Sequence, residues 1–101
     1  MGYSVIIEER AQREIAEASA WIAQHSPERA AIWHFDIENA IFSSENNPFR
    51  CPIAPESQSF PEEIRHLIFE QYRILFTVRD EAVHVLRVRH GRKDYAKPDD
   101  E

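Results

Sequence analysis

The residues best suited to bind or activate an anion lie in the last third of the chain. Residues 64–97 hold eight Lys and Arg against four Asp and Glu, whereas residues 1–63 hold four basic and eleven acidic residues. A guanidinium stays charged, and its planar fork matches two oxygens of a phosphate or a carboxylate. The net charge of −6 is therefore uneven, which favours a polyanionic or acidic partner on one face, although a solvated, Arg-rich strand surface would give the same pattern.

Proton transfer near neutral pH would fall to histidine, and we expect it from two of the five histidines, His66 and His90. The other three have no metal-ligand spacing with Cys51 or with a pair of carboxylates, so we expect no metal ion. A glycine-rich phosphate loop is excluded because the chain has only two glycines. We therefore expect no cofactor.

The same composition bounds the compartment. A single cysteine excludes an internal disulfide and fits a reducing environment. No run approaches the roughly 18 apolar residues that cross a bilayer, and residues 1–10 have no apolar signal-peptide core. These features predict a cytoplasmic protein without a membrane partner.

The elements that must position the basic residues follow from hydrophobic periodicity. Ala11, Ile15, Ala18 and Ile22 form one helical stripe, and the pair Ser26–Pro27 is typical of a helix start. The predicted elements are a strand at 3–7, helices at 10–25 and 27–45, a proline-rich loop at 46–61, and strands at 64–69, 72–78 and 82–90. The short link between the helices predicts an antiparallel helix hairpin, and the two-residue turns predict an antiparallel meander.

These elements predict one α+β domain spanning residues 1–101. We expect the N-terminal strand and the helix hairpin to pack on a three- or four-stranded antiparallel sheet, with the other sheet face partly open. Residues 98–101 are expected to form a disordered acidic tail.

Residues 63–78 form a hairpin pattern with a basic residue on the first strand and a Tyr-Arg-apolar-apolar-aromatic second strand. Residues 85–94 end in His-Gly-Arg-basic-Asp, and residues 11–30 hold the apolar spacing of the helix hairpin. In these three segments the chain resembles the central hairpin, the closing strand and the helix hairpin of the RelE/ParE toxins of type II toxin–antitoxin systems, which include toxins of the plasmid-stabilisation kind. The resemblance covers nearly the whole chain. It implies an α+β fold and a growth-inhibiting toxin that a cognate antitoxin holds silent.

In the RNA-cleaving branch of that family, the resemblance implies ribosome-dependent cleavage of mRNA without a metal. The 2′-hydroxyl attacks the adjacent phosphate, which needs a base, a cation and an acid. By resemblance the catalytic residues would be Arg73, His66, Arg92 and Lys93. The substrate-binding residues would be Arg65, Arg89, His90 and Tyr95. Arg65, Arg73 and Arg92 are expected to emerge together on the uncovered sheet face, and Arg73→Ala is expected to cost under about 0.5 kcal/mol of stability.

Two other mechanisms stay open at this point. The RNA-cleaving toxins are strongly basic, whereas this chain is acidic, and its His-Gly-Arg-Lys-Asp ending suits the ParE branch at least as well. In that branch the protein is not an enzyme but binds and stalls DNA gyrase. The third possibility is an inactive family member that only binds an antitoxin.

The resemblance also implies a cognate antitoxin as partner, in a toxin–antitoxin hetero-oligomer, with a segment that folds on binding. Apolar residues outside the main helix stripes are the candidate contacts: Trp21, Ile32, Phe35 and Phe42. The alternative is that some of them complete the core on a second stripe.

Overall fold

A computed structural model of the chain describes residues 2–93 and 95–98. The elements are β1 (Ser4–Ile7), α1 (Glu9–Ala23), α2 (Pro27–Phe42), β2 (Arg65–Phe69), β3 (Tyr72–Arg79) and β4 (Ala82–His90). Three short 3₁₀ helices, Ser43–Glu45, Pro48–Arg50 and Pro55–Ser59, lie between α2 and β2. Asp94 of the family-like ending and the acidic residues 99–101 lie outside the described residues. None of the described helices is both long and apolar enough to cross a bilayer.

The helix hairpin forms where the sequence predicts it. Ala11 and Ile15 of α1 are buried, and the hydroxyl of Ser26 accepts a hydrogen bond from the Arg29 N–H, 3.2 Å away, at the start of α2. Pro27 occupies the first turn of α2, where its missing N–H costs nothing. The second helix ends at Phe42 rather than at residue 45, because its last predicted turn tightens into a 3₁₀ turn.

The sheet has the order β1-β4-β3-β2. β2, β3 and β4 form the predicted antiparallel meander, and β1 pairs with β4 in parallel. The sheet is therefore mixed rather than wholly antiparallel. Because β1 leads directly into α1 instead of into a hairpin, its only route into the sheet is beside a strand distant in sequence.

Both faces of the sheet are covered in part. One face packs against the helices, with Ile74, Phe76 and Val85 in the core beside Ile15 and Ile37. On the opposite face, a second apolar cluster joins the loop before β2, the sheet and the C-terminal segment. Its buried members are Ala54, Ile64, Leu75 and Ala96. The open face expected from the sequence is thus partly occupied by the chain itself, since the proline-rich loop carries enough apolar side chains to pack there.

Candidate functional site

Arg73 lies on the sheet face away from the helices, because it alternates with the core residue Ile74 on β3. Its two terminal nitrogens each lie 2.7 Å from a carboxylate oxygen of Glu56, in a bidentate pair. The Arg73 side chain is 12% exposed and that of Glu56 is 0% exposed. The cation that the family resemblance assigns to a phosphate is therefore engaged by a carboxylate of its own chain.

Glu56 sits in the first turn of the 3₁₀ helix Pro55–Ser59, where the loop crosses the sheet. Its Oε2 also accepts the Ala96 N–H at 3.3 Å. Burial acts to raise the pKa of this carboxyl, but hydrogen bonds from Arg73 and from the backbone N–H groups of Glu56 and Ala96 act against it. The net effect leaves the pKa below its usual value. The carboxylate therefore stays charged and joins the loop, β3 and the C-terminal segment.

His66 lies next to this ion pair on β2. Its Nδ1 is 3.0 Å from one terminal nitrogen of Arg73 and 3.3 Å from Nε. Burial lowers the pKa of His66, the positive charge of Arg73 lowers it further, and Glu56 offsets part of the effect. Because an arginine can only donate, this geometry assigns Nδ1 as the acceptor and places the ring proton on Nε2. In this arrangement the neutral imidazole has no free lone pair to act as a base.

Tyr95 covers the same arginine from the C-terminal segment. Its ring centre lies 5.6 Å from the guanidinium carbon of Arg73, while the tyrosine itself is 61% exposed. Three of the predicted site residues, Arg73, His66 and Tyr95, are thus brought together. They surround an internal carboxylate, Glu56, which sequence reasoning did not single out.

Arg65 stands on the other side of the sheet from Arg73, since its cross-strand partner Phe76 belongs to the helix-facing core. Its guanidinium donates to the carbonyls of Cys51 at 2.6 Å and Phe49 at 3.3 Å. It also pairs with Glu63 at 3.0 Å. The expectation that Arg65, Arg73 and Arg92 emerge together is therefore wrong for Arg65, because the proline-rich loop draws this side chain to itself.

Arg92 and His90 lie near Arg73 at the end of β4, and all three line a shallow cavity of about 450 Å³. Arg92 is exposed, and its backbone N–H donates to Nδ1 of His90 at 3.1 Å. The other ring nitrogen of His90 contacts the side-chain oxygen of Gln71 at 3.3 Å. His90 therefore ties the end of β4 to the β2–β3 turn, which occupies both of its ring nitrogens.

Arg89 and Lys93 join a different group of cations, at the edge of β4. β1 pairs only with Ala82–Val85, so α1 lies beside the rest of this edge. The carboxylate of Glu14 accepts the Val88 N–H at 2.8 Å and holds the buried side chain of Arg87 at 2.9 and 3.0 Å. A pocket of about 360 Å³, which we call the basic pocket, opens here. It is lined by Arg10, Arg13, Glu14, Glu17, Arg87, Arg89 and Lys93.

Sequence reasoning missed three cations of the basic pocket: Arg10, Arg13 and Arg87. The first two lie on the polar side of α1, and the third is one of several strand arginines. The sequence signal of Arg10 and Arg13 is an Arg-Glu pattern at helical spacing, which is usual for a solvated helix face, and Arg87 has no comparable signal. Only the tertiary placement of α1 beside β4 collects these residues.

The four apolar residues expected at an antitoxin interface are all between 45% and 65% exposed. None of them completes the core, so the alternative stated for them is wrong. Trp21 and Ile32 line a groove of about 700 Å³ between the helix hairpin and the β2–β3 turn. Ile32, Phe35 and Phe42 fall at i, i+3 and i+10 of α2, on one exposed stripe.

The described residues include no group of three or more His, Cys, Asp or Glu arranged to hold a metal ion. The described residues present a closed Arg–Glu–His cluster, a basic pocket and an exposed apolar helix face.

Two helices on one face of a small four-stranded mixed sheet define the class, an α+β domain of the RelE/ParE-like toxin fold. A family model described as "ParE toxin of type II toxin-antitoxin system, parDE" matches residues 5–95. The chain therefore belongs to the ParE toxin family of type II toxin–antitoxin systems, and the RelE/ParE resemblance seen in the sequence is confirmed.

Solved structures place the fold in the same group. A chromosomal ParDE toxin–antitoxin system from P. aeruginosa aligns with a TM-score of 0.71 and 18% identity, over 87% of this chain and 95% of that one. A chain of the toxin–antitoxin complex RelBE2 from Mycobacterium tuberculosis aligns with a TM-score of 0.59 and 21% identity, over 89% and 99% of the two chains. No curated protein shows significant sequence similarity to the chain.

Proposed function

We propose that this protein inhibits growth by binding its target, not by cleaving RNA, as the toxin of a type II toxin–antitoxin module. The observation that carries the proposal is the buried bidentate pair between Arg73 and Glu56. A cation already saturated by a carboxylate cannot stabilise the extra charge of a phosphate in the transition state. The Nδ1 of His66 is committed to the same arginine, so the candidate base is occupied as well.

The target that fits this proposal is DNA gyrase, because membership of the ParE family favours the gyrase-directed branch over the RNA-cleaving branch. The overall charge of −6 supports the same choice, since a protein target does not require the basic surface that RNA phosphates demand. Cytoplasmic location and a single toxin domain over residues 1–101 are part of the proposal.

A cognate antitoxin would hold the protein silent on the exposed helix face. The two solved structures named above come from toxin–antitoxin systems, which supports such a partner for this chain. Ile32 and Phe35 are 61% and 65% exposed, and such an apolar stripe suits an amphipathic segment that folds on binding.

A pulse of expression followed by two assays tests the mechanism. We expect growth to stop, purified protein to inhibit supercoiling by gyrase, and primer extension to show no new mRNA ends. New 5′ ends that depend on the ribosome would instead assign RNA cleavage. Normal growth with neither signal would mean that the chain is an inactive family member. As a folded control, Arg50→Gln changes an exposed arginine outside the cluster and should keep full activity.

The antitoxin surface is tested with the product of an adjacent small gene that carries a DNA-binding domain. Replacing Ile32 and Phe35 by Ser should weaken that complex by about 2 kcal/mol or more, because apolar anchors carry most of an interface's energy. The matched control is Ile68→Ser, an exposed isoleucine on β2 away from the helices. Equal affinity of the helix variant and the control would place the antitoxin elsewhere.

A further inference from the structure

The basic pocket gathers five cations and two carboxylates from three parts of the chain. Arg10, Arg13, Glu14 and Glu17 come from α1, Arg87 and Arg89 from β4, and Lys93 from the segment that follows. One carboxylate, Glu14, is already held by Arg87 and by the backbone of β4. The pocket therefore carries an excess of positive charge within a chain whose net charge is −6.

The floor of the basic pocket is held in place by contacts within the chain. Arg87 lines the pocket and is 7% exposed, and three hydrogen bonds to Glu14 fix its guanidinium. The floor is a strand edge, because β4 continues past its pairing with β1. Arg13 and Lys93 are exposed at the rim. A fixed floor with exposed cations at the rim is suited to receive an anionic group of a binding partner.

We propose that the basic pocket binds carboxylate side chains of an acidic protein segment. Two observations favour carboxylates over the phosphates of a nucleic acid. Phosphate backbones are followed by long basic grooves, whereas this pocket is about 360 Å³ and is itself flanked by Glu14 and Glu17. Arg87 already holds the carboxylate of Glu14 in this pocket, so the donor geometry there matches that group.

The chain also shows twice how its arginines bind such a group. Arg87 holds the Glu14 carboxylate through three hydrogen bonds, and Arg73 holds the Glu56 carboxylate through two. Arg13 and Lys93 add two exposed cations that a carboxylate from outside could contact. The basic pocket adjoins the Arg73 cluster through Arg89, the cross-strand partner of Arg73, but it does not include the Arg73–Glu56 pair. The proposal stands or fails independently of the gyrase assignment.

The test uses the full chain and a capped hexapeptide of alternating Glu and Asp, with a capped peptide of Gln and Asn as its neutral counterpart. We expect the acidic peptide to bind in isothermal titration and to shift the amide resonances of Arg13, Arg89 and Lys93. The neutral peptide should not bind. Replacing Arg13 and Lys93 together by Gln should lower the affinity for the acidic peptide by about fivefold, as expected for the loss of two exposed charge pairs.

Arg50→Gln is the matched control, because it removes an exposed positive charge away from the pocket, and it should leave the affinity unchanged. Equal melting temperatures of wild type and the double variant check that the fold is kept. The proposal is overturned if the acidic peptide does not bind, or if the double variant binds it as well as wild type does. It is also overturned if a single-stranded oligonucleotide of about ten nucleotides binds the pocket more tightly than the peptide.

Discussion

At the scale of single residues, the carboxylate of Glu56 determines what Arg73 can do. The two side chains share two bonds of 2.7 Å in a site from which water is almost excluded. A buried ion pair contributes little over an apolar pair of equal volume, but loss of one partner leaves a charge without solvation. The same arginine that would bind a phosphate in an RNA-cleaving relative therefore serves the packing of this protein.

This pairing changes the expected effect of substituting Arg73. Arg73→Ala should lower the free energy of unfolding by about 3 kcal/mol or more, because it leaves Glu56 buried and unpaired. The value of about 0.5 kcal/mol expected from the sequence assumed an exposed arginine, and the structure contradicts that assumption. Urea unfolding measures the difference. Arg92→Ala is the matched control, since Arg92 is exposed, and it should fall within about 0.5 kcal/mol of wild type. If Arg73→Ala lost no more free energy of unfolding than Arg92→Ala, the ion pair would not be what stabilises the fold.

The titration of this cluster predicts two steps of acid destabilisation. The pKa of His66 is lowered from 6.5, so the unfolded chain takes up the proton first, and stability falls as the pH drops below 6.5 towards the folded-state value. The pKa of Glu56 is lowered from 4.5, so its contribution is present above pH 4.5 and is lost as the pH falls through the folded-state value.

Urea unfolding at about pH 7.5, 5.5 and 4 separates the two steps. His66→Gln should remove the decrease in the free energy of unfolding between the first two pH values. His25→Gln, a change at an exposed histidine, should leave that decrease in place. A decrease of the same size in both variants would assign the upper step to another group.

At the scale of elements, the β3–β4 turn is the most strained connection of the sheet. Asp80 and Glu81 both have positive φ, 51° and 61°, the conformation of a two-residue turn that normally holds Asn-Gly. A left-handed conformation costs about 1 kcal/mol or more in a residue with a Cβ atom. The turn is kept because the two strands on either side are well paired and belong to the core.

Glu81→Gly should therefore stabilise the protein by about 0.5–1 kcal/mol, since glycine adopts positive φ without strain. Thermal unfolding measures the effect. The opposite sign is expected for Glu17→Gly, which places glycine within α1 and should cost about 1 kcal/mol. Destabilisation by Glu81→Gly would show that the side chain of Glu81 contributes more than the turn conformation costs.

The elements themselves could be predicted because their signals are local. The stripe of α1, the Ser26–Pro27 start of α2 and the alternation of β3 each lie within one segment. The parallel pairing of β1 with β4 could not be predicted, because it joins residues about eighty positions apart and depends on where α1 leads the chain. The irregularity between Leu75 and Phe76, which shifts the register with β4, also has no local sequence signal.

At the scale of the whole molecule, the basic residues predicted for the site are divided among three places. Arg65 fixes the proline-rich loop, Arg73 and Arg92 lie near the β2–β3 turn, and Arg89 and Lys93 belong to the basic pocket. The uneven charge is evident from the composition. The distribution of the cations over the surface is not, because it depends on which carboxylates the loop and α1 bring to the sheet. Sequence reasoning therefore found only some of the cations. It missed Glu56 and three cations of the basic pocket, Arg10, Arg13 and Arg87.

One further consequence follows from the bond between the Ala96 N–H and Glu56. That amide can be protected from solvent exchange only while the loop, the third strand and the C-terminal segment are all in place, because each contributes to the position of the carboxylate. The exchange rate of the Ala96 amide therefore reports local opening around Glu56. A ligand that pulls any of the three segments away would raise that rate before the rest of the fold responds.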